Sequence, residues 1–460
     1  RDTDRSRGLG DVYKRQDYGV GVFDENALHF IDKISEMGFS YWQVLPFNPL
    51  DGANSPYCSP SAFAGNYLFI NPKGLVEDGL VTEADAAENI YGGSPYTADY
   101  EFAAEHRYKL LKKAFLNIDD ETAKNIKQFE LENPWLTDYA VFMAVKEQNG
   151  GAPWWQWSEN QARYFNCVKD IFSYEESAAF WKFVQYIFFK QWFEIKKYAN
   201  EKGIAVIGDM PFYVAMDSVD VWADLPLFEI DEKTLTAKKV AGVPPDYFSE
   251  NGQLWGNPIY NWEIMKKDGY KWWLSRLGAA LKTYDIVRID HFRAFASYWE
   301  VPADSETAKT GEWIKGPGMD LFKKVFEKFP DAPVIAEDLG VFGEDVTQLL
   351  KDTGFPGMKV VQFGFDPNSD SSHMPHNATQ NSINYVGTHD NNTLLGWLWE
   401  ASEQERKFAL DYAGFEGDNW GEGGYHSPSC RKIIECVWRS SSNVAIIAFQ
   451  DMCGFGADAR

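Results

Sequence analysis

Residues 285–290 read DIVRID, a short apolar and β-branched run that closes on a carboxylate and is followed at once by His291. A run of this length and composition, bounded by polar residues, is the pattern of a buried strand. Seven more share its character: Tyr41–Pro46 (YWQVLP), Tyr67–Asn71 (YLFIN), Ile204–Met210 (IAVIGDM), Pro333–Glu337 (PVIAE), Lys359–Gly364 (KVVQFG), Ile383–Thr388 (INYVGT) and Val444–Gln450 (VAIIAFQ). Helical patterns fit between most of them; Asn26–Met37 carries Leu28, Ile31, Ile34 and Met37 at helical spacing. Strands alternating with helices argue for parallel βαβ units, and eight strands are what a closed barrel requires. The predicted fold class is therefore α/β, a (β/α)8 TIM barrel with mostly helical insertions.

Two intervals are too long for plain crossovers. Residues 72–203 read as a Trp-rich helical insertion, and its most apolar stretch, Ser177–Lys202, is broken by Lys182, Gln185, Lys190 and Glu194, so it reads as a buried helix. Residues 217–280 form a second insertion, in which the polar GVPPDYFSENGQLWGNP reads as a long functional loop. Residues 1–16 carry both charge signs and no apolar stretch, so they are no signal peptide and are expected to be a non-native leader. The domain reading is then one catalytic barrel over 17–460, which accommodates a length of 460 residues that otherwise suggests about three domains.

A formal net charge of −24 disfavours binding to phosphate backbones or anionic lipid, so neither nucleic acid nor membrane is an expected partner. The five cysteines are odd in number and include no C-x-x-C pair, which points to reduced thiols and a cytoplasmic setting. Aromatic residues make up 16% of the chain, enough for a large core or for platforms on which sugars stack.

Three strand ends carry carboxylates: Asp290 in DIVRID, Glu337 in PVIAE, and Asp390 just beyond INYVGT, the first and last flanked by His291 and His389. In such a barrel, catalytic groups sit at the C-terminal ends of strands. A carboxylate pair suits glycosidic chemistry, one as nucleophile and the other protonating the leaving oxygen. Neighbouring parallel strands lie about 4.8 Å apart. Carboxyl groups on their ends then approach the roughly 5–5.5 Å that permits a covalent intermediate, which predicts retention. Arg288, two residues before Asp290, shares its face and favours the ionised carboxylate a nucleophile needs. Glu337 has no basic neighbour in sequence and is followed by Asp338, so burial and like charge should keep its proton for a general acid. Asp390 is the third carboxylate, gripping sugar hydroxyls around a distorted ring. Histidine and aspartate also suit metals, yet no H-E-x-x-H or closely spaced ligand cluster occurs, and no phosphate-binding glycine motif either, so neither metal nor cofactor is expected.

At these residues the chain resembles the 4-α-glucanotransferases (amylomaltase, or disproportionating enzyme), relatives of the α-amylase clan. The likeness runs from about Tyr18 to the end through WQVLPFNP, SPYCSPSAFAGN, GDMPFYVAMDSVDVWA, AGVPPDYFSENGQLWGNPIYNW, VRIDHFRA, IAEDLG, GTHDNNT and FQDMCGFGADAR. The resemblance implies Asp290 as nucleophile, Glu337 as acid/base and Asp390 as transition-state stabiliser. It further implies that Arg288, His389 and Asp209 line the subsite of the transferred sugar, that Tyr57, Ser55, Gln253 and Trp255 contact neighbouring glucose units, and that Gly242–Asn257 is a lid. The family continues beyond the point matching Arg460 with a closing helix, so the final helix is expected to be truncated.

The implied reaction moves an α-1,4-glucan segment between maltooligosaccharide, glucose or starch-type donors and acceptors, with oligomeric state left open. Two alternatives stand beside it. An α-amylase-like hydrolase would use the same three carboxylates, although GDMPFYV lacks the D-x-x-x-N-H pattern of amylases. A catalytically silent glucan-binding protein would keep the scaffold without turnover.

Overall fold

Most of the β-branched runs contain strands, which are shorter than their composition suggests. The computed structural model describes residues 17–94, 97–166, 174–245, 249–340 and 343–459. The expected leader at 1–16, Cys167, Arg460 and residues 246–248 of the expected loop lie outside the described residues. The chain divides into two compact units. The described residues up to Val287, with Ala294–Pro333, form the larger; Arg288–Arg293 and those from Val334 onward form the smaller.

In the larger unit, β1 (Tyr41–Gln43) pairs in parallel with β2 (Ala205–Met210), Trp42 lying opposite Val206. The strand β3 (Ile286–Ile289) starts here: the Asp285 N–H donates to Val206 O and the Val287 N–H to Pro333 O, both at 2.9 Å. Helices dominate the residues between β1 and β2, among them Tyr100–Phe115, Asp120–Glu132, Trp135–Gln148 and Glu175–Glu201. Glu175–Glu201 has no Gly or Pro to interrupt it and buries Phe180, Trp181, Phe183, Ile187, Phe188 and Trp192. Trp192 is wholly enclosed, edge-on to Phe47 with centroids 4.5 Å apart, and its indole N–H donates to Thr283 O at 2.9 Å. Its polar handle is thus satisfied inside an aromatic core, as burial of an indole demands.

Two expectations change in this unit. The run Tyr67–Asn71 is no strand: Tyr67–Phe69 forms a 3-10 turn, and helix Pro72–Glu77 starts directly after Asn71. The Asn66 side chain accepts the Leu68 N–H at 3.0 Å, and the buried Arg107 guanidinium donates to the carbonyls of Leu68 and Ile70. Carbonyls that a strand would offer to a neighbour are therefore already taken. The polar stretch expected as a loop is paired at its two ends. Lys239–Val243 and Gln253–Pro258 run antiparallel, and Ser297–Pro302 with Glu312–Lys315 completes a four-stranded sheet. Gly242 permits this because a Cβ there would stand 2.6 Å from Gln253 O.

Among the described residues of the smaller unit, the strands pair in parallel. The end of β3 meets β4 (Val334–Ala336), the Glu337 N–H donating to Ile289 O at 3.0 Å. Next come β5 (Gly357–Val360), β6 (Ser382–Tyr385) and β7 (Val444–Ile446), with Gly357 opposite both Ala336 and Ser382, and Ile383 opposite Val444. Leu394, Leu395, Leu398, Ile433, Ile434 and Val437 bury one side of this unit. Charged groups stand at strand ends within each unit: Asp209 on β2 in the larger, and in the smaller Asp290 after β3, Glu337 after β4 and Asp390 beyond β6.

Replacing Trp192 by Ala removes the centre of the aromatic core and is expected to cost about 3–5 kcal/mol. Urea unfolding followed by tryptophan fluorescence reads the loss as an earlier transition, and an unchanged midpoint would count against this packing.

Candidate active site

Alternation along β3 carries Arg288 and Asp290 to the same face, and the two meet: Arg288 Nη1 lies 3.0 Å from Asp290 Oδ1. Arg288 is buried, 2% exposed, with its Nε–H directed at Met358 Sδ at 3.4 Å while Nη1 meets the carboxylate. An Arg in this setting stays charged and favours an ionised partner.

Glu337 leaves β4 on the strand next to β3, its own backbone bonded on both sides: its N–H donates to Ile289 O and its carbonyl accepts the Phe292 N–H, each at 3.0 Å. Its carboxyl is buried and doubly held, Oε2 accepting the His291 N–H at 2.8 Å and Oε1 the Leu339 N–H at 2.7 Å. Burial, and after it the negative charge of Asp290, push its pKa up to about 8; Arg288 and the two amides pull the other way without prevailing. The like charge comes from Asp290 and not from the sequence neighbour Asp338. On a strand, successive side chains point apart, and Asp338 turns away to accept the Met358 N–H at 2.7 Å.

His291 is a feature that sequence reasoning left undecided. Its backbone takes a left-handed φ of 50°, a conformation rare for any residue but Gly, and this turn is what aims its N–H at Glu337. Desolvation, helped by Arg293, pushes the imidazole down to about 3, so the ring is neutral. Nothing in a sequence announces a positive φ at a histidine. The functional contribution is a backbone amide, to which residue identity is nearly silent.

Asp390 is exposed on the turn after β6, its N–H bonded to Thr388 Oγ1 at 3.3 Å, and His389 Nε2 lies 3.4 Å from its Oδ1. In the larger unit, Asp209 is buried, 3% exposed, and its Oδ2 accepts the Tyr57 hydroxyl at 2.8 Å. Ser55 Oγ accepts the Tyr57 N–H at 3.3 Å. Gln253 Oε1 accepts the Trp255 indole N–H at 3.1 Å, and the Trp255 ring, partly exposed, faces Tyr213 edge-on. The predicted residues thus form clusters: Arg288, Asp290 and Glu337 in one, His389 and Asp390 in a second, Tyr57, Ser55 and Asp209 in a third, Gln253 and Trp255 in a fourth. Among the described residues no group of three or more His, Cys, Asp or Glu is arranged to hold a metal, and no helix is long and apolar enough to cross a membrane.

A family model described as 4-alpha-glucanotransferase matches residues 11–460. The chain belongs to the 4-alpha-glucanotransferase family. It is 41% identical over 452 residues to the 4-alpha-glucanotransferase of Clostridium butyricum, covering 96% of this chain and 90% of that one. To the 4-alpha-glucanotransferase of Streptococcus pneumoniae serotype 4 it is 43% identical over 452 residues, covering 96% and 87%. Among solved structures, amylomaltase from Streptococcus agalactiae in complex with acarbose is similar with a TM-score of 0.91 at 38% identity, covering 96% of this chain and 89% of that one. The fold class is accordingly the (β/α)8 barrel, and this 4-alpha-glucanotransferase family member is an enzyme of the glycosyltransferase type.

The raised pKa of Glu337 has a signed consequence for stability. Between the ordinary value of 4.5 and about 8, the folded chain keeps a proton that the unfolded chain releases. This group's contribution therefore falls as pH rises through that window and is level above it. In Glu337→Gln that contribution vanishes. The wild-type chain should lose stability relative to the variant between pH 4.5 and pH 8, measured as paired denaturation midpoints. A difference that does not vary with pH would mean that Glu337 is already ionised.

Proposed function

We propose that this enzyme is a retaining 4-α-glucanotransferase that moves α-1,4-glucan segments through a covalent glucosyl-enzyme. The observation that carries the reading is a pair of carboxyl groups on adjacent strands held in opposite states. Asp290 is ion-paired with Arg288, while Glu337 is kept protonated by burial beside that same charge. In the first half-reaction an Asp290 oxygen attacks the anomeric carbon as the Glu337 proton passes to the glycosidic oxygen. The carbon–oxygen bond breaks and the reducing-end portion of the donor leaves. In the second, the 4-hydroxyl of an acceptor glucan gives its proton to Glu337 and attacks the same carbon, and Asp290 is released.

The electrostatics support this exchange of roles. Once Asp290 is an ester its negative charge is gone, and with it the like charge that helped hold the proton on Glu337. Arg288 and the amides of His291 and Leu339 then favour the carboxylate, the form that accepts the incoming proton. The spacing of adjacent parallel strands, about 4.8 Å, supports retention over the wider gap an inverting water needs. Asp390 serves as the stabiliser of the distorted ring; Arg288, His389 and Asp209 hold the transferred sugar; Tyr57, Ser55, Gln253 and Trp255 meet neighbouring glucose units. The stretch Gly242–Asn257 acts as a lid that keeps water from competing with the acceptor. The bonds broken and formed are alike, so no cofactor enters the reaction. The unpaired thiols of Cys58, Cys430, Cys436 and Cys453 support a cytoplasmic setting.

Incubation with maltotriose alone tests the reading. Glucose and longer maltooligosaccharides should accumulate with almost no rise in total reducing ends, whereas reducing ends climbing in step with substrate loss would make the enzyme a hydrolase. Glu337→Gln should cut turnover on the order of 10³-fold while oligosaccharide binding, followed by calorimetry, survives. Wild-type-like turnover in that variant would remove Glu337 from the chemistry.

A further inference from the structure

Asp451 sits on the short helix Phe449–Met452 that follows β7, with its side chain 2% exposed. Its Oδ1 accepts the backbone N–H of Leu394 at 2.6 Å, joining positions 57 residues apart in sequence. Leu394 opens the helix Leu394–Glu400, so its amide is one that the helix itself leaves without a partner. Immediately before it stands the turn that carries His389 and Asp390. Asn391 Oδ1 closes the start of this turn, accepting the Thr388 N–H at 2.9 Å and its hydroxyl at 3.0 Å. Gln362 Nε2–H donates to Asn392 O at 3.0 Å along its length. The far end is held by Asp451. Because β6 and β7 run in register, Tyr385 opposite Ile446, the Asp451–Leu394 bond ties together the segments leaving two adjacent strands.

The arrangement asks for a reason, because a buried carboxyl is costly to keep unless its hydrogen bonds matter. Burial pushes Asp451 up to about 7, opposed by the Leu394 amide. The titratable neighbour is Cys430 on helix Pro428–Trp438, a thiol that burial itself raises to about 11. An apolar side chain would cap the core here at lower cost. It would leave the first amide of the helix loose, and with it the last residues of the Asp390 turn.

We propose that Asp451 is a positioning residue for Asp390: by gripping the Leu394 amide it fixes the end of the His389–Thr393 turn and so the placement of the Asp390 carboxylate. The proposal rests on the reading of Asp390 as the group that stabilises the distorted sugar ring. A contact realised mainly in the transition state affects kcat more than KM when it is misplaced.

The test is maltotriose disproportionation by Asp451→Ala and Asp451→Asn in the full chain, with rates normalised to folded protein. Asp451→Ala should lower kcat by about tenfold or more with KM changed by less than about threefold. Asp451→Asn keeps an oxygen acceptor for the Leu394 amide and should return kcat to within about threefold of wild type. A purely structural role would lower the thermal midpoint of Asp451→Ala and leave kcat of its folded fraction unchanged, and that result overturns the proposal. So does an Asp451→Asn variant as impaired as Asp451→Ala. If Asp451→Ala does not accumulate as folded protein, Asp451→Ser, whose hydroxyl falls one bond short of the amide, takes its place with the same expected and overturning results. An inactive wild-type chain would sink the glucanotransferase reading instead, whereas an active wild type with unimpaired variants sinks this inference alone.

Discussion

One guanidinium acting on two carboxyl groups organises the smaller unit. Arg288 is buried and cannot give up its charge, so Asp290 beside it is drawn to the ionised state. Burial, and after it that charge, then keeps a proton on Glu337 on the adjacent strand. The two acids differ because of what surrounds them and not because one is aspartate and the other glutamate. Neutralise Arg288 and both states shift together, which is why the arrangement behaves as a unit rather than as three separate residues.

The backbone makes this arrangement exact enough to work. Glu337 is fixed through both oxygens by amides that belong to neither its own strand nor a side chain, and one of them requires a histidine in a left-handed conformation. Such a backbone costs roughly 1–3 kcal/mol and persists where the surroundings over-determine it. Here the surroundings are the hydrogen bonds on either side of β4 and the return of the chain through Phe292 to Glu337 O. Asp338, next in sequence, serves the frame rather than the chemistry: its carboxylate holds Met358 on β5, against a Gly357 at which a Cβ would stand 2.6 Å from Asp338 Oδ2.

Much of this was legible in the residues. DIVRID announces its strand through Val and Ile, and the period of two alone puts Arg288 beside Asp290. Other readings failed for reasons that lie outside local sequence. YLFIN has the composition of a strand, but Arg107 from a distant helix occupies its carbonyls. The Pro/Gly-rich stretch from Gly242 has the composition of a loop, but its two ends pair with each other, and Gly242 also pairs with the distant Trp299. The neighbour credited with raising the pKa of Glu337 was Asp338, adjacent in sequence and on the wrong face.

By itself, the order of residues determined that most of the apolar runs contain strands, that carboxylates stand at the ends of several, and that Arg288 shares a face with Asp290, because these follow from side-chain volume and from the two-residue repeat of an extended chain. Tertiary structure alone decided which charge Glu337 feels, which amides hold it, and which distant carboxylate steadies the turn bearing Asp390. Those are through-space effects. Coulomb forces and desolvation depend on distance and burial, and neither is written in the separation of two residues along a chain.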